Sequence, residues 1–102
     1  MIVFGGYSGG WPALNDVYEL NLITNTWTKI TTSGSEPVGR LDHTAIYYKG
    51  NMVVYGGGYY DGSRFNHPND VFTLNLTTHT WTKPTTTRSN PKRPTRPARA
   101  TV

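Results

Sequence analysis

The chain has 102 residues, 35% of them hydrophobic, with three Trp, seven Tyr, three Phe and eleven Gly. That length sets a ceiling of one domain, and the composition favours pleated strands joined by tight turns over helices. The absence of cysteine excludes a disulfide framework and any thiolate metal site, and fits a reducing compartment. No apolar run approaches the roughly 20 residues needed to span a bilayer, and no basic segment leads into a signal-peptide core, so a soluble chain is expected, with the cytoplasm favoured and no membrane partner.

The net charge of +4 is unevenly placed. Residues 1–83 carry Lys29, Arg40, Lys49, Arg64 and Lys83 against Asp16, Glu19, Glu36, Asp42, Asp61 and Asp70, which is close to neutral. Arg88, Lys92, Arg93, Arg96 and Arg99 all follow Pro84.

In chain order, the hydrophobic run Met1-Ile2-Val3-Phe4 ends in Gly5-Gly6, as a strand ends in a turn that needs positive φ. A loop from Tyr7 to Leu14 follows, then Asn15-Asp16-Val17-Tyr18-Glu19-Leu20-Asn21-Leu22-Ile23-Thr24-Asn25-Thr26-Trp27-Thr28-Lys29. This block returns at an offset of 54 as residues 69–83, with Phe72 for Tyr18 and His79 for Asn25. The opening block returns at an offset of 51 as Met52-Val53-Val54-Tyr55-Gly56-Gly57, so three extra residues lie in the second copy's loop, between Gly58 and Pro68. Length variation there marks a surface loop.

A period near 50 is the size of a four-stranded propeller blade. The second copy supplies four strands in turn. Strand a, His43 to Tyr48, turns through Lys49-Gly50-Asn51 into strand b, Met52 to Tyr55; strand c is Val71 to Leu76, and strand d is Thr80 to Lys83 around Trp81. The hydrophobic run before a Gly pair, the aromatic at Tyr18 or Phe72, the Trp nine residues later and the lead-in Arg40-x-x-His43-Thr44-Ala45 together resemble the kelch repeat. The resemblance covers roughly residues 1–83. It implies an all-β fold built from about two kelch blades of four antiparallel strands, the first (strands b to d, residues 1–30) lacking strand a, the second spanning residues 40–83, in an incomplete ring. Within the family such blades form rings of about five to seven.

A blade has two apolar faces and repeat arrays need three or more units. The chain is therefore expected to be an excerpt of a longer propeller, a truncated product, or a homo-oligomer that completes a ring. Residues 84–102, with Pro84, Pro91, Pro94 and Pro97, are expected to be a basic, Pro-rich tail outside the blades.

Antiparallel order places the b-to-c loops and the d-to-a connections on one face. Tyr7, Trp11, Arg40, Tyr59, Tyr60, Asp61, Arg64, Phe65 and His67 are the candidate binding residues there, because aromatics and Arg on a loop face have the composition of an interface. Arg40 corresponds to the Arg that opens a kelch blade and reaches a ligand in some relatives; a salt bridge to Asp42 or Glu36 is the alternative. Trp27, Trp81, Tyr18 and Phe72 read as packing residues between blades. His43, His67 and His79 lack short-spaced partners, so no metal, cofactor or catalytic residue is expected. The resemblance implies a protein-interaction module with a protein partner and no enzymatic activity. Two alternatives carry less: a metal-dependent propeller enzyme or product specifier, argued from fold analogy alone, and nucleic-acid contact through the basic tail, which has no aromatic interleaved for base stacking.

Overall fold

The computed structural model describes residues 1–85, and all but the first two residues of the expected 84–102 tail lie outside the described residues. Ten strands are present there: β1 (Ile2–Gly6), β2 (Leu14–Asn21), β3 (Thr26–Ile30), β4 (Ser33–Gly34), β5 (Thr44–Tyr48), β6 (Asn51–Tyr55), β7 (Tyr59–Tyr60), β8 (Phe65–Asn66), β9 (Val71–Asn75) and β10 (Thr80–Thr82). No helix among the described residues is long and apolar enough to cross a membrane.

β1, β2 and β3 form a three-stranded antiparallel sheet in that order. β5, β6, β9 and β10 form the meander expected of strands a to d, and β4 adds a fifth, parallel strand on the outer edge of β10. Local devices close the turns, and the two sheets share that of the c-to-d turn. Lys49 and Gly50 both take positive φ between the paired ends Tyr48 and Asn51, the two-residue turn whose twist suits a hairpin. At the c-to-d turns, the Asn21 side-chain oxygen accepts from the Ile23 and Thr24 amides, and Asn75 does the same for Thr77 and Thr78. The left-handed position of that turn holds Asn25 in one copy (φ 55°) and His79 in the other (φ 58°), so the substitution between copies falls on two residue types that tolerate it.

The core lies between the sheets. Phe4 and Val17 of the first sheet meet Ala45, Met52, Val54, Phe72, Leu74 and Trp81 of the second, with Ile2 and Ile30 packed at the margin. Burying each large apolar side chain contributes about 1.5–3 kcal/mol. Trp81 meets the Phe4 and Phe72 rings edge-on, with centroids 5.1 and 6.5 Å away.

The repeat equivalences locate a surface that differs from the expectation for Trp27 and Tyr18. Met52, Val54, Phe72, Leu74 and Trp81 are all buried. Their counterparts by the offsets of 51 and 54 are Met1, Val3, Tyr18, Leu20 and Trp27. Trp81 is 2% exposed but Trp27 is 53% exposed, with Met1 and Val3 open beside it. The cause is the pleat: Phe4 and Val17 turn toward the second sheet, so the paired residues Val3 and Tyr18 turn away. Among the described residues Trp27 has one ring contact, the Tyr18 ring edge-on at 6.5 Å, instead of an apolar sheet.

The seam between the sheets is also stitched by backbone. The Gly6 amide donates to the Arg40 carbonyl (2.9 Å) and the Arg40 amide to the Leu14 carbonyl (3.2 Å). Gly39 lies so close to Ala13 that a methyl there would overlap the Ala13 carbonyl.

Candidate functional site

The 58–68 segment, read from sequence as a surface loop, folds into a small hairpin. Tyr59 pairs with Asn66 and Tyr60 with Phe65 across a tip at Asp61-Gly62-Ser63-Arg64. Asp61 organises that tip: Oδ1 accepts from the Ser63 and Arg64 amides (2.9 and 3.1 Å) and Oδ2 from Asn66 Nδ2 (3.0 Å). These bonds, that from Asn66 foremost, lower its pKa below the ordinary value, so it is ionised at neutral pH. Gly62, at φ 99°, supplies the left-handed position the tip needs.

The first copy's loop reaches across to this hairpin. Trp11 stands with its ring 4.9 Å from Tyr7, 6.2 Å from Tyr60 and 5.7 Å from Phe65, and Phe65 continues to His67 at 5.0 Å. Tyr7, Trp11, Tyr60, Phe65 and His67 thus form one aromatic group bridging the two repeats, and all five are exposed. Beside it opens a cavity of about 450 Å³ walled by Trp11, Pro12, Ala13, Val38, Tyr59, Tyr60 and Asp61. That volume is within the range of ligand pockets, about 300–1,000 Å³. Pro12, Ala13, Val38 and Gly39 were not among the residues expected here. Their only sequence signal is adjacency to Trp11 on one side and to Arg40 on the other.

Two expected residues stand apart. Arg64 sits at the hairpin tip and does not line the cavity. Arg40 departs from the expectation more sharply, since it is 1% exposed and lies beneath the loops rather than on them. Its Nη1 donates to Asp70 Oδ1 (2.9 Å) and to the Gly56 carbonyl (3.0 Å), its Nε donates to the Val38 carbonyl (3.0 Å), and its guanidinium lies 5.5 Å from the Phe72 ring centre. The ion pair is with Asp70, not with Asp42 or Glu36. A guanidinium fork bonded to three acceptors positions the 38–40 connection against the start of β9.

His43 is buried beside Arg40, with its ring edge-on to Phe4 at 5.1 Å and, among the described residues, no well-formed hydrogen bond to either ring nitrogen. Burial lowers its pKa below 6.5, and the Arg40 charge adds to this, while the Phe4 backbone and Asp42 act in the opposite direction. Among the described residues no group of three or more His, Cys, Asp or Glu side chains is placed to hold a metal ion.

Two sheets of antiparallel strands, packed face to face with long b-to-c loops on one end, define a pair of neighbouring β-propeller blades. The family comparison makes this specific: the KLHDC2/KLHL20/DRC7 Kelch-repeats domain matches residues 1–102, and the chain belongs to the kelch-repeat family. Relatives include acyl-CoA-binding domain-containing protein 5 of Arabidopsis thaliana, 34% identical over 86 residues that cover 83% of this chain and 13% of the relative. Leucine-zipper-like transcriptional regulator 1 homolog of Drosophila melanogaster is 37% identical over 76% of the chain and 8% of its own length. Dynein regulatory complex subunit 7 of Chlamydomonas reinhardtii is 40% identical over 57 residues, 56% of this chain and 5% of the relative. The chain therefore spans a small fraction of each of these relatives, and kelch-repeat domains are typically protein-interaction modules.

Proposed function

We propose that this chain is a protein-interaction module whose contact surface is the aromatic group and cavity between the two b-to-c loops. The observation that carries the reading is the insertion of Trp11 from one repeat against Tyr60 and Phe65 of the other, beside the cavity. Exposed aromatics held rigid by one another bury large areas at low entropic cost, which is the usual character of interface hot spots. Asp61, an acidic residue, is among those lining the cavity. Arg40 supports this surface from below without touching a partner.

Capture of binding partners by the full chain is the test, comparing the unaltered protein with one whose residues 59–67 are replaced by a Gly-Ser linker. Gly58 is kept because it exchanges backbone hydrogen bonds with Leu41. Loss of specific partners is expected. Retention of every partner would refute the assignment.

The exposed face of β1–β3 supports a second contact. Residues 1–30 and 40–83 behave as two blades in this reading, and the Met1, Val3, Tyr18, Leu20 and Trp27 face takes a third blade packed as the first packs on the second. Such a blade comes from a longer polypeptide or from another copy in a ring. The mass of this chain in solution separates the two, because copies closing a ring give a defined oligomer and a monomer rules that route out.

A further inference from the structure

The cavity between the loops also fits a segment of this same chain. Its walls include Trp11, Pro12, Val38, Tyr59 and Tyr60, and Asp61 is among its lining residues. Aromatic-lined grooves accept proline rings, whose preformed extended backbone loses little entropy on docking, and aromatic faces attract cations. Residues 86–102, Thr-Thr-Arg-Ser-Asn-Pro-Lys-Arg-Pro-Thr-Arg-Pro-Ala-Arg-Ala-Thr-Val, combine the two: Pro91, Pro94 and Pro97 alternate with Arg88, Lys92, Arg93, Arg96 and Arg99. The sequence up to Lys83, by contrast, has one more acid than base.

Topology brings the two together. β9 starts at the loop-bearing end and β10 returns antiparallel beside it, so the chain leaves β10 heading back toward that end. Seventeen residues of proline-rich sequence can reach about 50 Å at ~3.1 Å each, whereas the molecule's longest dimension is 40 Å. We propose that the Trp11–Tyr60 cavity is the docking site of the chain's own Pro- and Arg-containing sequence within residues 86–102, which competes there with external partners. The proposal rests on the loop face being a binding surface. Tethering supplies a local concentration on the order of 1 mM, so a contact with an intrinsic Kd of about 0.1 mM fills the cavity and weakens any competitor about tenfold.

Two measurements on the full chain test this. With a photoreactive benzoyl-phenylalanine in place of Tyr60, irradiation at low micromolar concentration should give a cross-link to residues 86–102 of the same molecule, read by mass spectrometry. Cross-links confined to other segments or to a second copy, or none, overturn the proposal. In the second, a synthetic 86–102 peptide is titrated by NMR into the unaltered chain and into one carrying Pro91→Ala, Pro94→Ala, Pro97→Ala, Arg93→Ala and Arg96→Ala. The substituted chain should bind about ten times more tightly, with the Trp11 indole signal shifting. Adding Asp61→Asn, which keeps an oxygen for the Ser63 and Arg64 amides, should then weaken binding about two- to fivefold, the scale of one exposed cationic contact. Equal affinity of the two chains, or indifference to Asp61→Asn, overturns it. Failure of the peptide to bind while loop replacement still abolishes partner capture removes only this proposal; the reverse pattern removes the partner surface instead.

Discussion

Substituting Arg40 with Met separates a structural arginine from one that meets a ligand. The change keeps a flexible apolar stem of similar reach but leaves three acceptors, Asp70 Oδ1 and the Val38 and Gly56 carbonyls, without their shared donor. Breaking a buried ion pair by removing one partner costs about 3–5 kcal/mol. Asp70 is 20% exposed, so water recovers part of that penalty and the lower end applies. A loss of about 3 kcal/mol is a large share of a typical 5–15 kcal/mol and lowers Tm by roughly 12–24 °C in a domain of this size. Urea unfolding followed by tryptophan fluorescence, at unchanged m-value, measures it. Arg40→Lys should recover less than half, because an ammonium cannot reproduce the fork geometry. A loss below about 1 kcal/mol accompanied by weaker partner binding would refute the structural role and return Arg40 to the contact surface.

Trp81→Ala should cost about 3–5 kcal/mol by urea unfolding, whereas Trp27→Ala in the same chain should cost under about 1 kcal/mol, since only the former empties a closed core; equal losses would contradict the packing described. Gly39→Ala should destabilise by about 1–3 kcal/mol, because backbone at Ala13 stands where the methyl must go. Gly10→Ala, facing open space, should stay within about 0.5 kcal/mol by the same denaturation assay. The lowered pKa of His43 means that the unfolded chain takes up a proton near pH 6.5 which the folded chain resists, so stability should fall as pH drops below about 6.5. His43→Gln should flatten the dependence of the urea midpoint between pH 7.5 and 5.5, and an unchanged slope would count against the assignment.

Strands a to d of the second repeat were legible because alternation and flanking Gly or Asn are local signals. The Met52–Tyr55 run, the turn through Lys49-Gly50-Asn51 and the limits of strands c and d all fall within a residue or so of the expected places. β4 was not legible: Ser33-Gly34 has no alternation, and its partner β10 lies nearly half the chain away. Arg40 pairs with Asp70 rather than Asp42 or Glu36 for the same reason, since a bond across 30 residues is set by the b-to-c loop's return and not by nearness in sequence. Repetition correctly marked Trp27 and Trp81 as equivalent, yet equivalence of residues does not give equivalence of neighbours, and only one of the two faces a sheet here. At the candidate site the aromatic loop residues were identifiable individually. Their convergence on Trp11 was not, because it depends on how two loops of unequal length lean across the seam.

The two-residue strand β4 has a bearing on how such a chain behaves at high concentration. By lying along the outer edge of β10, Ser33 and Gly34 occupy hydrogen-bonding groups that would otherwise be open to a strand from another molecule. The linker after one repeat thus serves as a hem for the next. β3, by contrast, pairs only with β2 among the described residues. The Thr26–Ile30 margin is consequently, with the outer edges of β1 and β5, an open edge at which stray strand pairing can start, and a Lys or Pro introduced along it would be a change to try in a preparation that aggregates.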